Sequence, residues 1–232
     1  MKYAQEIRKV IFQLKPQSIF VAEKLYREKL SILPEATFYK TLERMIHKNE
    51  ISRIGKGVYS ISEITKFGII KSNPNEIINT FIGETQLKGL FIGYQLYNRL
   101  GLTTQISKRI EAYTTVIQSE TKTIGSNKFY RIRIRLNPSV IKMIELMEVL
   151  EHYEKIEDLN IRRFTKYLEE SSLSFNEKEF EIVLSNLKYK KRTIALLRSF
   201  LEYKGHKNTL GKYLSSLSNY HLPDVKEWYA PT

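Results

Sequence analysis

Apolar residues recur at helical spacing through the first part of the chain. Positions 7, 10, 11 and 14 are apolar, and this spacing predicts an amphipathic helix over Tyr3–Leu14 that ends before Pro16. The same pattern predicts a second helix over Ala22–Leu30 and a third over Pro34–Lys48. One face of the third helix carries the predicted core residues Phe38, Leu42, Met45 and Ile46.

Two short stretches of alternating apolar and polar residues follow the third helix. They lie on either side of Gly55-Lys56-Gly57 within Ile51–Ile61, a pattern typical of a β-hairpin. Three helices followed by a β-hairpin is the element order of a winged helix-turn-helix. Residues 1–66 are therefore interpreted as a DNA-binding domain of that type.

The exposed face of the third helix and the hairpin carry side chains suited to DNA. A recognition helix places its N-terminal residues nearest the base edges, and basic residues of a wing contact phosphates. The candidate DNA contacts are Thr37, Tyr39, Lys40, Arg44, Arg53 and Lys56. The alternative is a winged helix that binds protein. In that case these residues are ordinary solvated side chains. Glu35 and Glu43 favour that alternative, since carboxylates repel phosphates.

The next part of the chain mixes helical and strand patterns. Gly68 and the turn residues Ser72-Asn73-Pro74 predict a joint over residues 67–75. The predicted elements of a mixed α/β part, residues 76–136, are helices at 76–81 and 90–100 and strands at 109–117 and 128–136. In the last strand, Arg131, Arg133 and Arg135 alternate with apolar residues and share one face. That face either binds DNA or an acidic partner, or simply meets water, as is common in antiparallel sheets.

Residues 137–232 are predicted to be helical. The predicted segments are 140–157, 161–169, 177–188 and 210–217, with an apolar stripe of Ile194, Leu197, Phe200 and Leu201. A basic run over Lys188–Arg192 adds Lys190, Lys191 and Arg192 to a possible second basic surface. The predicted fold class is α+β: an N-terminal winged helix-turn-helix, then a mixed α/β C-terminal domain over residues 76–232 that ends in a helical region.

The charge of the chain indicates a polyanion or an acidic protein as partner. Lys and Arg number 38 and Asp and Glu 25, a net charge of +13. Residues 1–66 and 67–136 each carry a net +6, whereas residues 137–232 carry only +1. Within that last part, residues 137–181 carry −5 and residues 182–232 carry +6. The excess therefore lies in the N-terminal two-thirds.

Several classes of protein are disfavoured by what the sequence lacks. The absence of Cys excludes disulfides, thiolate metal sites and a Cys nucleophile. Asp occurs only at Asp158 and Asp224, and the four His residues have no metal-ligand spacing, so we expect no metal, no cofactor and no enzymatic activity. No apolar run has the length of a membrane span and the N-terminus has no signal-peptide pattern, so we expect a soluble cytoplasmic protein.

The chain as a whole resembles a known family. The resemblance rests on the winged-helix pattern, the segment Gly93–Gln105 with its Gly-Leu-Thr-x-Gln element, the late segment Lys191–Leu197, and Leu214–Leu217. These features resemble the AbiEi-type antitoxins of bacterial type IV toxin–antitoxin systems, which act in phage defence. The resemblance implies an antitoxin-like domain over residues 76–232.

The family resemblance implies a transcriptional autorepressor. Its winged helix would bind operator DNA sequence-specifically, and the chain would counteract a nucleotidyltransferase-like toxin, with or without direct contact. The second hypothesis is a protein-interaction module whose basic surfaces bind an acidic partner instead of DNA. A third, weaker hypothesis is a general nucleic-acid-binding or host-defence effector. The sequence specifies no operator, toxin or oligomeric state.

Overall fold

The chain forms an α+β structure organised as two compact units. The computed structural model describes residues 2–65, 68–70, 74–215 and 217–229. The first unit comprises Met1–Gly89 and Tyr113–Arg131, and the second comprises Leu90–Ala112 and Ile132–Thr232. Both units are therefore discontinuous in sequence.

This division differs from the predicted joint at residues 67–75. Residues 76–89 and 113–131 belong to the same compact unit as the N-terminal helices, because they pack against that module. Within the predicted joint, Gly68–Ile70 forms a strand, while residues 67 and 71–73 lie outside the described residues.

The helices of the first unit begin and end close to their predicted positions. They are α1 (Lys2–Phe12), α2 (Ala22–Leu25), α3 (Glu35–His47) and α4 (Pro74–Phe81). α2 continues as a π-helical turn over Tyr26–Leu30, so the predicted second helix is irregular in its second half. α3 ends as predicted before Asn49, which adopts a positive φ of 57° that asparagine tolerates better than most residues.

A three-stranded antiparallel sheet closes this helical group. Its strands are β1 (Ile19–Val21), β2 (Ile51–Gly55) and β3 (Val58–Ile61), in the order β1-β3-β2. Phe20 of β1 stands opposite Tyr59 of β3, and their rings stack with centroids 5.6 Å apart. The predicted β-hairpin is confirmed as β2 and β3. A second hairpin follows, formed by β4 (Glu63–Thr65) and β5 (Gly68–Ile70).

The core of the first unit is built on α3. Phe38, Leu42 and Met45 are fully buried, and Ile46 is partly buried against them. From α1, Ile7 and Ile11 enter the same core. The predicted apolar faces of both helices are therefore confirmed, and the opposite face of α3 is left to solvent.

The sheet in the middle of the chain differs from the prediction. Its strands are β6 (Gly89–Ile92), β7 (Glu111–Thr114), β8 (Thr121–Ile124) and β9 (Asn127–Arg131), in the order β6-β7-β9-β8. The helix predicted over 90–100 is wrong in its first part: Leu90–Ile92 is strand, and α5 covers only Tyr94–Arg99. Gly93, at a φ of 60°, separates the two elements. The prediction is wrong here because a short apolar run fits a helix and a buried strand equally well.

The C-terminal part is helical, as predicted. It contains α6 (Pro138–His152), α7 (Ile161–Leu173), α8 (Glu177–Asn186) and α9 (Lys191–Tyr203). Asn137, Asn160 and Asn176 cap the first three, each with a side-chain oxygen accepting a backbone N–H of the first turn. The helix predicted over 210–217 is reduced to a 3-10 turn at Leu210–Tyr213, with residue 216 outside the described part.

Candidate nucleic-acid interface

The solvent face of α3 carries the first predicted contacts. Lys40 and Arg44 are both exposed and stand one helical turn apart on the same side. Thr37 is half-buried, and its carbonyl oxygen accepts a hydrogen bond from Thr41 Oγ1 at 2.7 Å. Thr37 thus lies at the edge of the face, and Lys40 and Arg44 supply its positive charge.

Tyr39 lies at the boundary between this face and the core. Its ring packs edge-on against Phe38, with centroids 5.2 Å apart. Burial, and then the carboxylates of Glu35 and Glu23, raise the pKa of the Tyr39 phenol. Tyr39 therefore keeps its proton at neutral pH and can donate a hydrogen bond to a phosphate or base.

The hairpin of β2 and β3 carries the other predicted contacts. Arg53 and Lys56 are exposed, and Arg53 Nε lies 3.4 Å from the carbonyl oxygen of Gly55. Gly57 adopts a φ of 69°, which favours glycine at this tight turn. The register shifts between Arg53 and Gly55, so a bulge directs the tip of the hairpin.

The hairpin of β8 and β9, in the same unit, contacts that tip. Lys122 of β8 donates a hydrogen bond from Nζ to the carbonyl oxygen of Lys56, at 3.0 Å. The side chain of Ile124 lies so close to Gly55 that an added Cβ would meet it at 3.4 Å. The tip of the β2–β3 hairpin is therefore held by two residues of β8, and one of them, Lys122, adds a third cation beside Arg53 and Lys56.

Lys122 has an unusual electrostatic environment. Burial lowers its pKa, the neighbouring Lys56 lowers it further, and Glu23 opposes both effects. Lys122 lies 66 residues from Lys56 in sequence, within a strand whose pattern carries no signal of DNA contact. Only the pairing of β8 with β9 and its contact with β2 bring it to the hairpin tip.

Glu23 makes the charge of this region mixed. The residue is exposed at the start of α2, and its carboxylate raises the pKa of both Tyr39 and Lys122. It therefore lies near both side chains. The candidate site combines five cations, Lys40, Arg44, Arg53, Lys56 and Lys122, with at least this one carboxylate.

The predicted arginine face does not form as a single strand face. β9 ends at Arg131, whose guanidinium donates to the carbonyl and side-chain oxygens of Gln118 at 2.5 and 2.9 Å. Arg133 and Arg135 lie beyond the strand and are exposed, while the residues between and around them are buried. The alternation of burial is thus as predicted, but the strand ends at Arg131 and does not extend to Leu136.

The basic run near the C-terminus is engaged in contacts within the second unit. Lys190 Nζ lies 2.8 Å from Glu151 Oε1, and Arg192 makes two hydrogen bonds to Glu154 at 2.5 and 2.8 Å. Lys191 donates to the carbonyl oxygen of Tyr213 at 2.5 Å. The Arg192 bond holds the pKa of Glu154 below its usual range. These residues join α9 to other parts of their own unit.

The Gly-Leu-Thr-x-Gln element is a folded turn after α5. Gly101 adopts a φ of 71° and Leu102 is fully buried. Asn98 Nδ2 donates to the carbonyl oxygens of Thr103 and Gln105, at 3.1 and 2.6 Å. The turn itself accounts for the residue types of this element, and no contact with a partner is needed to explain them.

Neither a metal site nor a membrane-spanning helix is present among the described residues. Among the described residues, no group of three or more His, Asp or Glu side chains could hold a metal ion. No helix in the described part of the chain is long and apolar enough to cross a membrane.

No model of a known protein family matches the chain, and comparison with curated proteins returns no match.

Proposed function

We propose that the first unit binds double-stranded DNA in the manner of a winged helix. In this proposal α3 is the recognition helix and the β2–β3 hairpin is the wing. The order α1-β1-α2-α3-β2-β3 and the antiparallel sheet β1-β3-β2 support it. The observation that carries it is the pair Lys40 and Arg44 on the solvent face of α3, in the same compact unit as the basic hairpin tip.

The charge balance of the first unit supports the same proposal. The unit contains 18 basic and 10 acidic residues, a net charge of +8. Cations that contact phosphates release condensed counterions, and each makes the affinity fall more steeply as salt is added. If the five cations of the site each contact one phosphate, log K should fall with log [salt] with a slope of about −4 to −5.

The test is fluorescence anisotropy with a duplex taken from upstream of the gene, in a series of salt concentrations. We expect Lys40→Ala, Arg53→Ala and Lys56→Ala each to weaken binding, and removing one phosphate-binding cation should reduce the slope by about one. Lys9→Ala is the matched control, since Lys9 is exposed on α1 of the same unit and outside the site. An unchanged slope in all three variants, or an equal weakening in the control, would refute the interface.

We further propose that the whole chain is an autorepressor and antitoxin of the AbiEi type. The support is the resemblance of Gly93–Gln105 together with the proposed DNA-binding unit. Such a protein should shift its own upstream DNA and relieve the toxicity of a nucleotidyltransferase encoded beside it. Co-expression of the two genes tests this: undiminished toxicity would remove the antitoxin role and leave DNA binding standing.

The second candidate function is a protein-interaction module. Glu23 is the observation that favours it, because a carboxylate beside Tyr39 and Lys122 suits a protein surface better than a phosphate backbone. This candidate predicts co-elution with a protein encoded nearby and no shift of any duplex at low salt.

A further inference from the structure

The hairpin of β8 and β9 packs against the β2–β3 hairpin and is positively charged. The segment Thr121–Arg131 contains no carboxylate and three basic residues: Lys122, Lys128 and Arg131. Its turn at Gly125-Ser126 is exposed, and a Cβ added to the glycine would meet no atom within 4 Å. The hairpin lies wholly within the first unit, together with α3 and the β2–β3 hairpin.

The two faces of the β8–β9 hairpin have different surroundings. Lys122 and Ile124 share the face that contacts the tip of the β2–β3 hairpin. On the opposite face, Thr123 of β8 stands across from Lys128 of β9. Thr123 is exposed and Lys128 is half-buried, so this second face meets solvent. The β8–β9 hairpin therefore contacts the β2–β3 hairpin with one face and offers hydroxyl and ammonium groups on the other.

Lys128 is held in place by an aromatic ring. Its Nζ atom lies 4.7 Å from the centroid of the Tyr130 ring, a cation–π contact. In the part of the chain that the structure describes, Lys128 makes no ion pair with a carboxylate, whereas Arg131 is bonded to Gln118. Lys128 can therefore bind a phosphate without giving up an ion pair, and Arg131 cannot do so without losing its hydrogen bonds.

The spacing of phosphates in DNA fits two adjacent hairpins. Packed β-elements lie within about 10 Å of each other. One strand of a duplex carries a phosphate about every 3.4 Å of helix axis. A DNA backbone that contacts Arg53 and Lys56 therefore has its next two or three phosphates within the distance that separates the two hairpins. Lysine ammonium groups and the hydroxyls of Ser and Thr are common donors to phosphate oxygens.

We propose that the β8–β9 hairpin is a second wing, which contacts the phosphate backbone of a duplex beside the β2–β3 wing. Lys128 supplies the charge of this contact, and the exposed hydroxyls of Thr123 and Ser126 donate to phosphate oxygens. Lys122 fixes the second wing to the first through its hydrogen bond to Lys56. This role rests on the proposed binding of duplex DNA by the first unit. It lengthens the contact with the backbone and adds no contact with a base.

Fluorescence anisotropy of the full chain with the duplex from upstream of the gene tests the second wing. Ser126→Glu places a carboxylate at the exposed turn and should weaken binding at low salt at least about threefold, the effect of one charge about 7 Å from a phosphate in water. Lys128→Ala should reduce the slope of log K against log [salt] by about one. Lys9→Glu is the matched control on the exposed face of α1, and it should weaken binding less than Ser126→Glu although it changes the charge by more.

Comparison with Lys56→Ala separates the second wing from the first. If Lys56→Ala weakens binding while Ser126→Glu leaves the affinity and Lys128→Ala leaves the slope unchanged, the second wing is refuted and the proposed function stands. If the wild-type chain binds no duplex at low salt, both are refuted. Circular dichroism verifies that each variant is folded. Thr123→Glu, at an exposed position of the same face, replaces a variant that is not folded and should weaken binding in the same way.

Discussion

Replacing Arg99 with alanine should destabilise the second unit through Glu145. The Glu145 side chain is only 7% exposed, and its carboxylate is held by Arg99 at 2.7 Å. Arg99→Ala would leave that carboxylate buried without its counter-charge. Breaking a fully buried ion pair in this way costs about 3–5 kcal/mol. Because the Arg99 side chain is 40% exposed and water can enter the vacated space, we expect a smaller destabilisation, of about 2–3 kcal/mol at pH 8.

The destabilisation should depend on pH in a direction that the structure specifies. Burial raises the pKa of Glu145, and Arg99 offsets part of that rise. A carboxyl group with a raised pKa in the folded state favours folding most when it is protonated, below its unfolded pKa of about 4.3. That contribution is lost as the pH rises through the folded pKa. Without Arg99 the folded pKa rises further, so the difference between wild type and Arg99→Ala should be small near pH 4 and grow toward pH 8.

Urea unfolding at pH 4, 6 and 8, followed by circular dichroism, measures this difference. Glu145→Gln is the companion variant, because the neutral amide removes the uncompensated charge. The double variant Arg99→Ala/Glu145→Gln should therefore lose less stability at pH 8 than Arg99→Ala alone. A pH-independent effect of Arg99→Ala, or additive effects in the double variant, would refute the role assigned to the ion pair.

Two further predictions concern the first unit. Glu23→Gln should tighten binding of duplex DNA about threefold at low salt, the effect that Coulomb's law gives in water for a charge about 7 Å from a phosphate. Anisotropy titrations check this, and weaker DNA binding would contradict the proposed face. Gly57→Ala should cost about 1 kcal/mol of unfolding free energy in urea, because alanine is strained at a φ of 69°. An unchanged midpoint would show that the hairpin tip relaxes without cost.

The N-terminal module is the part of the fold most open to sequence-based prediction. Its helices carry apolar residues at strict helical spacing, so the buried face of α3, with Phe38, Leu42 and Met45, follows directly. The hairpin follows from two glycines between alternating stretches, one of which adopts the positive φ that such a turn requires. Local patterns are sufficient here because each of these helices and the hairpin carries its own periodicity in the sequence.

Elements that depend on distant contacts are predicted less well. Leu90–Ile92 has no alternation that separates strand from helix, and pairing within the sheet decides its conformation. Lys122 reaches the hairpin tip only through the contact of β8 with β2, which no short motif encodes.

The placement of charge explains why the DNA proposal concerns the first unit alone. Ion pairs join the acidic stretch 137–181 to the basic stretch 182–232: Glu151 to Lys190, Glu154 to Arg192, Glu169 to Lys204 and Glu181 to Lys212. The opposite charges of these stretches are therefore largely neutralised within the second unit. In the described part of the first unit, by contrast, Lys40, Arg44 and Lys56 have no carboxylate partner. A cation that is already paired with a protein carboxylate must give up that ion pair before it binds a phosphate, whereas an unpaired cation loses nothing. The face of α3 and the hairpin tip should therefore dominate any binding of a polyanion.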